Sequence, residues 1–144
     1  MNEIKIKRFD TELPLPEYKT AGAAGFDLYS RQDLVVEPGT WGVVHLNVAI
    51  HAPDDYWVLL AARSSLYKKG LQMVNGVGIG DADFRGDNDE YRAVLFNFTK
   101  EPVSVERGER LVQAVLIPLV QFPIIRVTQL DNPDRGGFGS TGTH

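Results

Sequence analysis

The chain has 144 residues, 43% of them hydrophobic and 24% charged, with a formal net charge of −4. That length suits one domain with a real core, and the balance is that of a globular protein rather than a disordered or membrane-embedded one. The lack of cysteine and the three scattered histidines, His45, His51 and His144, exclude disulfide frameworks, thiol nucleophiles and the usual zinc sites.

The acidic balance argues against nucleic acid as a partner, because broad polyanion binding rests on clustered Lys and Arg. No apolar run approaches the roughly 20 residues of a membrane span, and the first residues, MNEIKIKRFD, have no signal-peptide core, so a cytoplasmic protein without a membrane partner is expected. A metal, if used, is a hard one bound through oxygen, most simply magnesium on phosphates.

In chain order, β-type runs bounded by turn residues occur at IKIK (4–7), GFDLYS (25–30), LVV (34–36), WGVVHLNVAI (41–50) and YWVLLAA (56–62). They continue at YRAVLFNF (91–98), VSVE (103–106), RLVQAVLIPLV (110–120) and IIRVTQL (124–130). Short strands at this spacing predict an all-β sandwich or barrel. EPGT (37–40) and ERGE (106–109) stand where hairpin turns are expected, and SSLYKKG (64–70) reads as one short helix capped by Ser64 or Ser65 and ended by Gly70. DNPD (131–134) divides a β domain, residues 1–130, from a C-terminal arm of the same domain, 131–144.

Four stretches have compositions that folding alone does not demand. AARSSLYKKG puts Arg63, Ser64 and Ser65 where a strand enters a helix, a place where free N–H groups attract anions. VNGVGIGDADFRGD (74–87) alternates glycine with apolar residues before Asp81 and Asp83; glycine in a strand pattern marks a bulge or close approach of a ligand, and the stretch reads as a hairpin pocket suited to a flat ring with its own donors and acceptors. AGAAGFDL (21–28) leads to Asp27. The arm, RGGFGSTGTH, is rich in glycine, the residue whose ordering costs most backbone entropy, yet it carries the large aromatic Phe138.

Taken in order, AGAAGFDL, ARSSL, NGVGIGDADFRGD, RGERLVQAVL and GGFGSTG resemble the five motifs of the trimeric dUTPases, across nearly the whole chain. The resemblance implies a jelly-roll-like β fold, a homotrimer with three active sites at subunit junctions, and magnesium-dependent cleavage of dUTP to dUMP and pyrophosphate, which limits uracil in DNA and supplies dUMP. It implies that Asp81 activates the water that attacks the α-phosphorus. Asn75 and the main chain of Gly78, Ile79 and Gly80 would read uracil, and Phe84, in the place of a tyrosine, would pack under the deoxyribose and exclude a 2′-hydroxyl. Arg63, Ser64, Ser65 and Gln113 would hold the triphosphate, and Asp27 would meet Mg2+ through water. Phe138 would stack on uracil while Gly139 and Ser140 cover the γ-phosphate, with Arg135 as a further phosphate ligand, making the arm a lid.

The chain departs from the family pattern at three places. Gly80 stands where a hydrophobic residue usually precedes the catalytic aspartate, which loosens the hairpin on this reading. DNDE (87–90) adds acidic residues read as a solvated turn. Pro133 replaces the arginine usually found five residues before the stacking aromatic, leaving Arg135 only three before it. Two other classes fit parts of the sequence: a dCTP deaminase of similar fold, which would release ammonia, and a binding protein that keeps the fold, for which Asp81, Ser64 and Phe138 would be unnecessary.

Overall fold

The computed structural model describes residues 2–139 and 142, and its regular structure is almost entirely antiparallel β. Strands β2 (Gly25–Tyr29), β6 (Tyr56–Ala62), β8 (Gly78–Gly80) and β11 (Arg110–Pro118) form one sheet in the order β2-β11-β6-β8. A second sheet, in the order β4-β9-β7, contains β4 (Trp41–His45), β7 (Leu71–Met73) and β9 (Arg92–Asn97). Two further ribbons pair β1 (Lys5–Arg8) with β5 (Val48–His51) and β3 (Leu34–Val36) with β10 (Val103–Val105).

Alternation explains how the two sheets share a core. Along β9 every second residue, Ala93, Leu95 and Asn97, is buried, and β2 does the same with Phe26 and Leu28. These side chains meet Leu60 of β6, Val112 and Ala114 of β11, Val44 of β4 and Leu71 of β7 in one cluster, which places the hydrophobic core between the sheets. The buried Asn97 is fully paired: its amide donates to the carbonyls of Val36 and Glu101, and its oxygen accepts from Thr99.

Three expectations are corrected. EPGT and ERGE are turns, with Gly39 and Gly108 at φ 70° and 88°, but neither closes a hairpin. β3 pairs with β10 while β4 pairs with β9, and β11 pairs with β2 and β6, so both turns are corners that pass the chain between sheets, the connection typical of a jelly roll. The helix of 64–70 is a single 3₁₀ turn, Leu66–Lys69, preceded by a Ser65 whose side chain makes no capping bond. The strand expected at 124–130 is absent: regular structure ends at Pro118, and the following residues are exposed, with Ile124 at 99% and Phe122 at 81%. A strand needs a neighbour, and none within the described chain faces these residues.

Candidate functional site

At the end of β6 the chain leaves the sheet through Arg63, whose N–H donates to the Leu111 carbonyl at 3.0 Å and whose carbonyl accepts from Leu66. Ser64 and Ser65 follow, both exposed, and their N–H groups find no backbone acceptor among the described residues. So short a turn has little macrodipole, and any pull on an anion here comes from hydroxyls, free N–H groups and nearby cations rather than from a helix. Those cations are at hand. Asp27 on β2 lies opposite Gln113 on β11, and its carboxylate faces the Arg63 Nε at 3.2 Å and the Arg110 Nη1 at 3.4 Å. Gln113 donates to the Ala62 carbonyl at 3.3 Å, which keeps its amide beside Arg63.

Arg110, which sequence reasoning did not single out, joins this cluster through Asp27. Residues three apart on a regular strand face opposite sides. The register shift between Arg110 and Val112 is a bulge that buries Leu111 and Val112 together and returns Arg110 to the half-exposed face of Gln113. The available signal was the second arginine of RGER, whose facing depends on a bulge that spacing does not reveal.

The glycine-rich stretch lies elsewhere. The hairpin expected here is not formed: β7 pairs with β9 and β8 with β6, so residues 74–77, including the exposed Asn75, carry the chain from one sheet to the other. β8 is an edge strand whose outer row of backbone groups has no partner within its sheet. Gly78 and Gly80 face inward and Ile79 outward, 61% exposed. A side chain at Gly78 would press on the Leu60 Cβ at 2.9 Å. Asp81 follows, exposed, its carbonyl accepting the Phe84 N–H at 2.9 Å in a tight turn that presents the exposed Phe84 ring.

Gly80 does not loosen this strand. The Tyr91 side chain lies over it: a Cβ at Gly80 would fall on the Tyr91 hydroxyl and come within 2.7 Å of its Cε1. The Tyr91 ring in turn meets Phe84 edge-on, with centroids 5.2 Å apart. Burial, reinforced by the negative charges of Asp81 and Asp89, pushes the Tyr91 phenol up to about 12, so it stays protonated across the physiological range.

The acidic insertion is also more ordered than a solvated turn. The Asp89 carboxylate accepts the Gly86 N–H at 2.8 Å, the Lys7 ammonium donates to the Asp87 carbonyl, and Glu90 is buried at 8% exposure. The phosphate-end residues and Asp81 are not brought together in one chain. Gly80 pairs with Val58 near the start of β6, whereas β6 runs on to Ala62, about 13 Å further at the rise of a strand, and Ser64 lies beyond that end. In the arm, Phe138 has a positive φ of 51° and is fully exposed, Arg135 and Gly139 are exposed, and Ser140 lies outside the described residues.

The dUTPase family model matches residues 11–142. The chain belongs to the dUTPase family. The deoxyuridine 5′-triphosphate nucleotidohydrolase of Nautilia profundicola is 38% identical over 97% of this chain and 99% of its own. The dUTPase of Streptococcus mutans superposes with a TM-score of 0.74 at 31% identity, covering 82% of this chain and 98% of that one. The dUTPase of Staphylococcus bacteriophage 80alpha with dUPNHPP reaches 0.85 over 99% of this chain and 100% of its own; at 24% identity that likeness speaks for the fold. The jelly-roll-like all-β architecture is thus the family's.

For a dUTPase that uses a metal, the donor set matters. No group of three or more His, Asp or Glu side chains that could hold a cation occurs among the described residues, and Asp27 is already engaged by two guanidinium groups. No helix among the described residues is long and apolar enough to cross a membrane.

Proposed function

We infer that this chain hydrolyses dUTP to dUMP and pyrophosphate as a homotrimer whose sites combine residues of different subunits. The observation that carries the reading is the edge strand β8 followed by exposed Asp81: a free row of backbone donors and acceptors beside a solvent-facing carboxylate, in a chain of the dUTPase family. The outer edge at Gly78, Ile79 and Gly80, with Asn75, pairs with the uracil ring. Cytosine would present a donor where uracil has an acceptor, leaving buried groups mismatched. Phe84 lies under the deoxyribose.

Asp81 accepts a proton from a water as that water's oxygen bonds to the α-phosphorus; the bond from that phosphorus to the bridging oxygen breaks and pyrophosphate leaves. Arg63, Ser64, Ser65 and Gln113 hold the phosphates, and Arg110, which sequence alone did not suggest, joins them. Asp27 keeps the two guanidinium groups oriented and would meet a magnesium ion through water. Magnesium carried by the triphosphate would neutralise charge on the leaving pyrophosphate.

Two features support assembly. Ser64 and Asp81 have short side chains and lie too far apart along the sheet to serve one phosphorus within a chain. The arm beyond Pro118 exposes Phe122, Ile124, Ile125 and Leu130, more apolar surface in a row than a monomer usually leaves in water. The lid after Leu130 brings Arg135, Phe138, Gly139 and Ser140 over a neighbouring subunit's nucleotide. Pyrophosphate release from each common nucleoside triphosphate, with and without magnesium, tests the reading: release confined to dUTP is expected, and ammonia release from dCTP would replace it with a deaminase.

A further inference from the structure

Tyr91 takes no part in the mechanism above, yet its backbone is tied down at both its N–H and its carbonyl. Its N–H donates to the Val48 carbonyl at 2.9 Å and its carbonyl accepts the Leu46 N–H at 2.9 Å, tying it to the junction of β4 and β5. The preceding Glu90 is anchored by Arg31 and His45. With the backbone fixed, the ring passes beneath β8, where it takes the space that a side chain at position 80 would fill, and its hydroxyl ends there buried and without a partner among the described residues. A hydroxyl left unpaired in the interior is unfavourable, and the cost is tolerated where the ring that carries it has a task. That ring is the surface against which Phe84 stands at 89°.

We propose that Tyr91 is a positioning residue for sugar selection, exchanging volume with Gly80 so that its ring sets the height and tilt of Phe84 against the substrate's 2′ position. The family pattern puts a hydrophobic side chain where this chain has Gly80; here the volume arrives instead from Tyr91, the residue before β9. Phe84 is mounted on a two-residue device: a small residue on the edge strand and a large one behind it. The hydroxyl is incidental, and the ring is the working part. The inference rests on the sugar-facing role given to Phe84.

The test compares kcat/KM for dUTP and for UTP in the full-length protein and in Phe84→Ala, Tyr91→Phe, Tyr91→Val and Gly80→Val/Tyr91→Val, with folding and assembly checked by circular dichroism and light scattering. Tyr91→Phe keeps the ring and should keep the dUTP-to-UTP ratio within about twofold of the unmodified protein. Tyr91→Val leaves Phe84 unsupported and should lower the ratio about tenfold, in the range expected for steric selection. The double variant returns volume from the strand side and should restore the ratio to within about threefold. A folded Tyr91→Val protein with an unchanged ratio overturns the proposal, provided Phe84→Ala lowers it. An unchanged ratio in Phe84→Ala removes the sugar-facing role and the inference with it. Should Tyr91→Val fail to fold, the double variant decides: its misfolding too, or a ratio no better than that of Phe84→Ala, shows that the two positions do not exchange volume.

Discussion

Glu90 accepts both hydrogen bonds of the Arg31 fork, at 2.7 and 2.9 Å, inside a shell that also brings the His45 Nδ1 to 2.9 Å and the Asn47 N–H to 3.1 Å. Burial pushes the Glu90 carboxyl up, but the bonds to Arg31 and His45 outweigh it and leave the group below its usual 4.5. A carboxylate depressed in the folded state contributes stability that is present above its unfolded pKa and lost as pH falls through the folded value. Glu90→Gln should therefore cost about 3 kcal/mol near neutrality, the low end for a broken buried pair because Arg31 keeps part of its side chain in water. Below pH 4.5 the variant should lose stability less steeply than the parent. Urea unfolding across a pH series measures both, and parallel acid limbs for the two proteins would assign the acid sensitivity to another group.

Asp81→Asn should fold and bind a non-hydrolysable dUTP analogue while losing turnover by a factor on the order of 10²–10⁴, since an amide cannot take the water's proton. The residue is exposed at the end of β8 and makes no contact the fold needs, so stability should hardly change. Retention of more than a tenth of parental turnover would move the base elsewhere, first to Asp83.

Local pattern made the strands of the body readable. YRAVLFNF alternates as β9 does, and GFDLYS as β2, because each has one face on the core and partners within the chain. IIRVTQL has an equally good pattern and forms no strand, since pairing also requires a neighbour. EPGT and ERGE carry the right turn chemistry, but a turn does not say whether its strands pair with each other or part to different sheets. The site divides the same way. Asp27, Arg63, Gln113 and Asp81 stood in recognisable local stretches, whereas Arg110 needed a bulge and Tyr91 needed to be seen under Gly80, relationships that exist only after the sheets have formed.

Phe84→Ala should erode discrimination against UTP more than it harms dUTP hydrolysis. The ring is exposed, at 37%, and its edge contact is with Tyr91, so removal opens space toward the sugar rather than a hole in the core. Steric selection of this kind is worth roughly 1–3 kcal/mol. Steady-state kinetics on both nucleotides gives the answer, and an unchanged ratio of kcat/KM would place the selection in the backbone of β8.

Truncation separates the two halves of the arm. Removal of everything after Leu130 takes away Phe138 and the glycines but leaves Phe122, Ile124 and Ile125, so assembly and melting should persist while turnover collapses. Truncation after Pro118 removes the exposed apolar row as well and should shift the protein toward monomer by size-exclusion light scattering. Loss of assembly with the shorter deletion would make the glycine-rich end structural and end the lid proposal.

The separation of Ser64 from Asp81 along one sheet leads to a complementation experiment. In the proposed three-fold assembly each site would repeat the same division of labour, with the phosphate end from one subunit, β8 and Asp81 from a second and the lid from a third. Asp81→Asn chains have intact lids, and chains truncated after Leu130 have an intact Asp81. Refolded as an equal mixture, each element at a given site is intact with probability one half, so about a quarter of sites should be complete and activity should return to about a quarter of the parental value. Neither variant alone should show it. If mixed trimers form by light scattering and the mixture remains inactive, Asp81 and the lid act from the same chain, and the three-subunit division of the site is wrong.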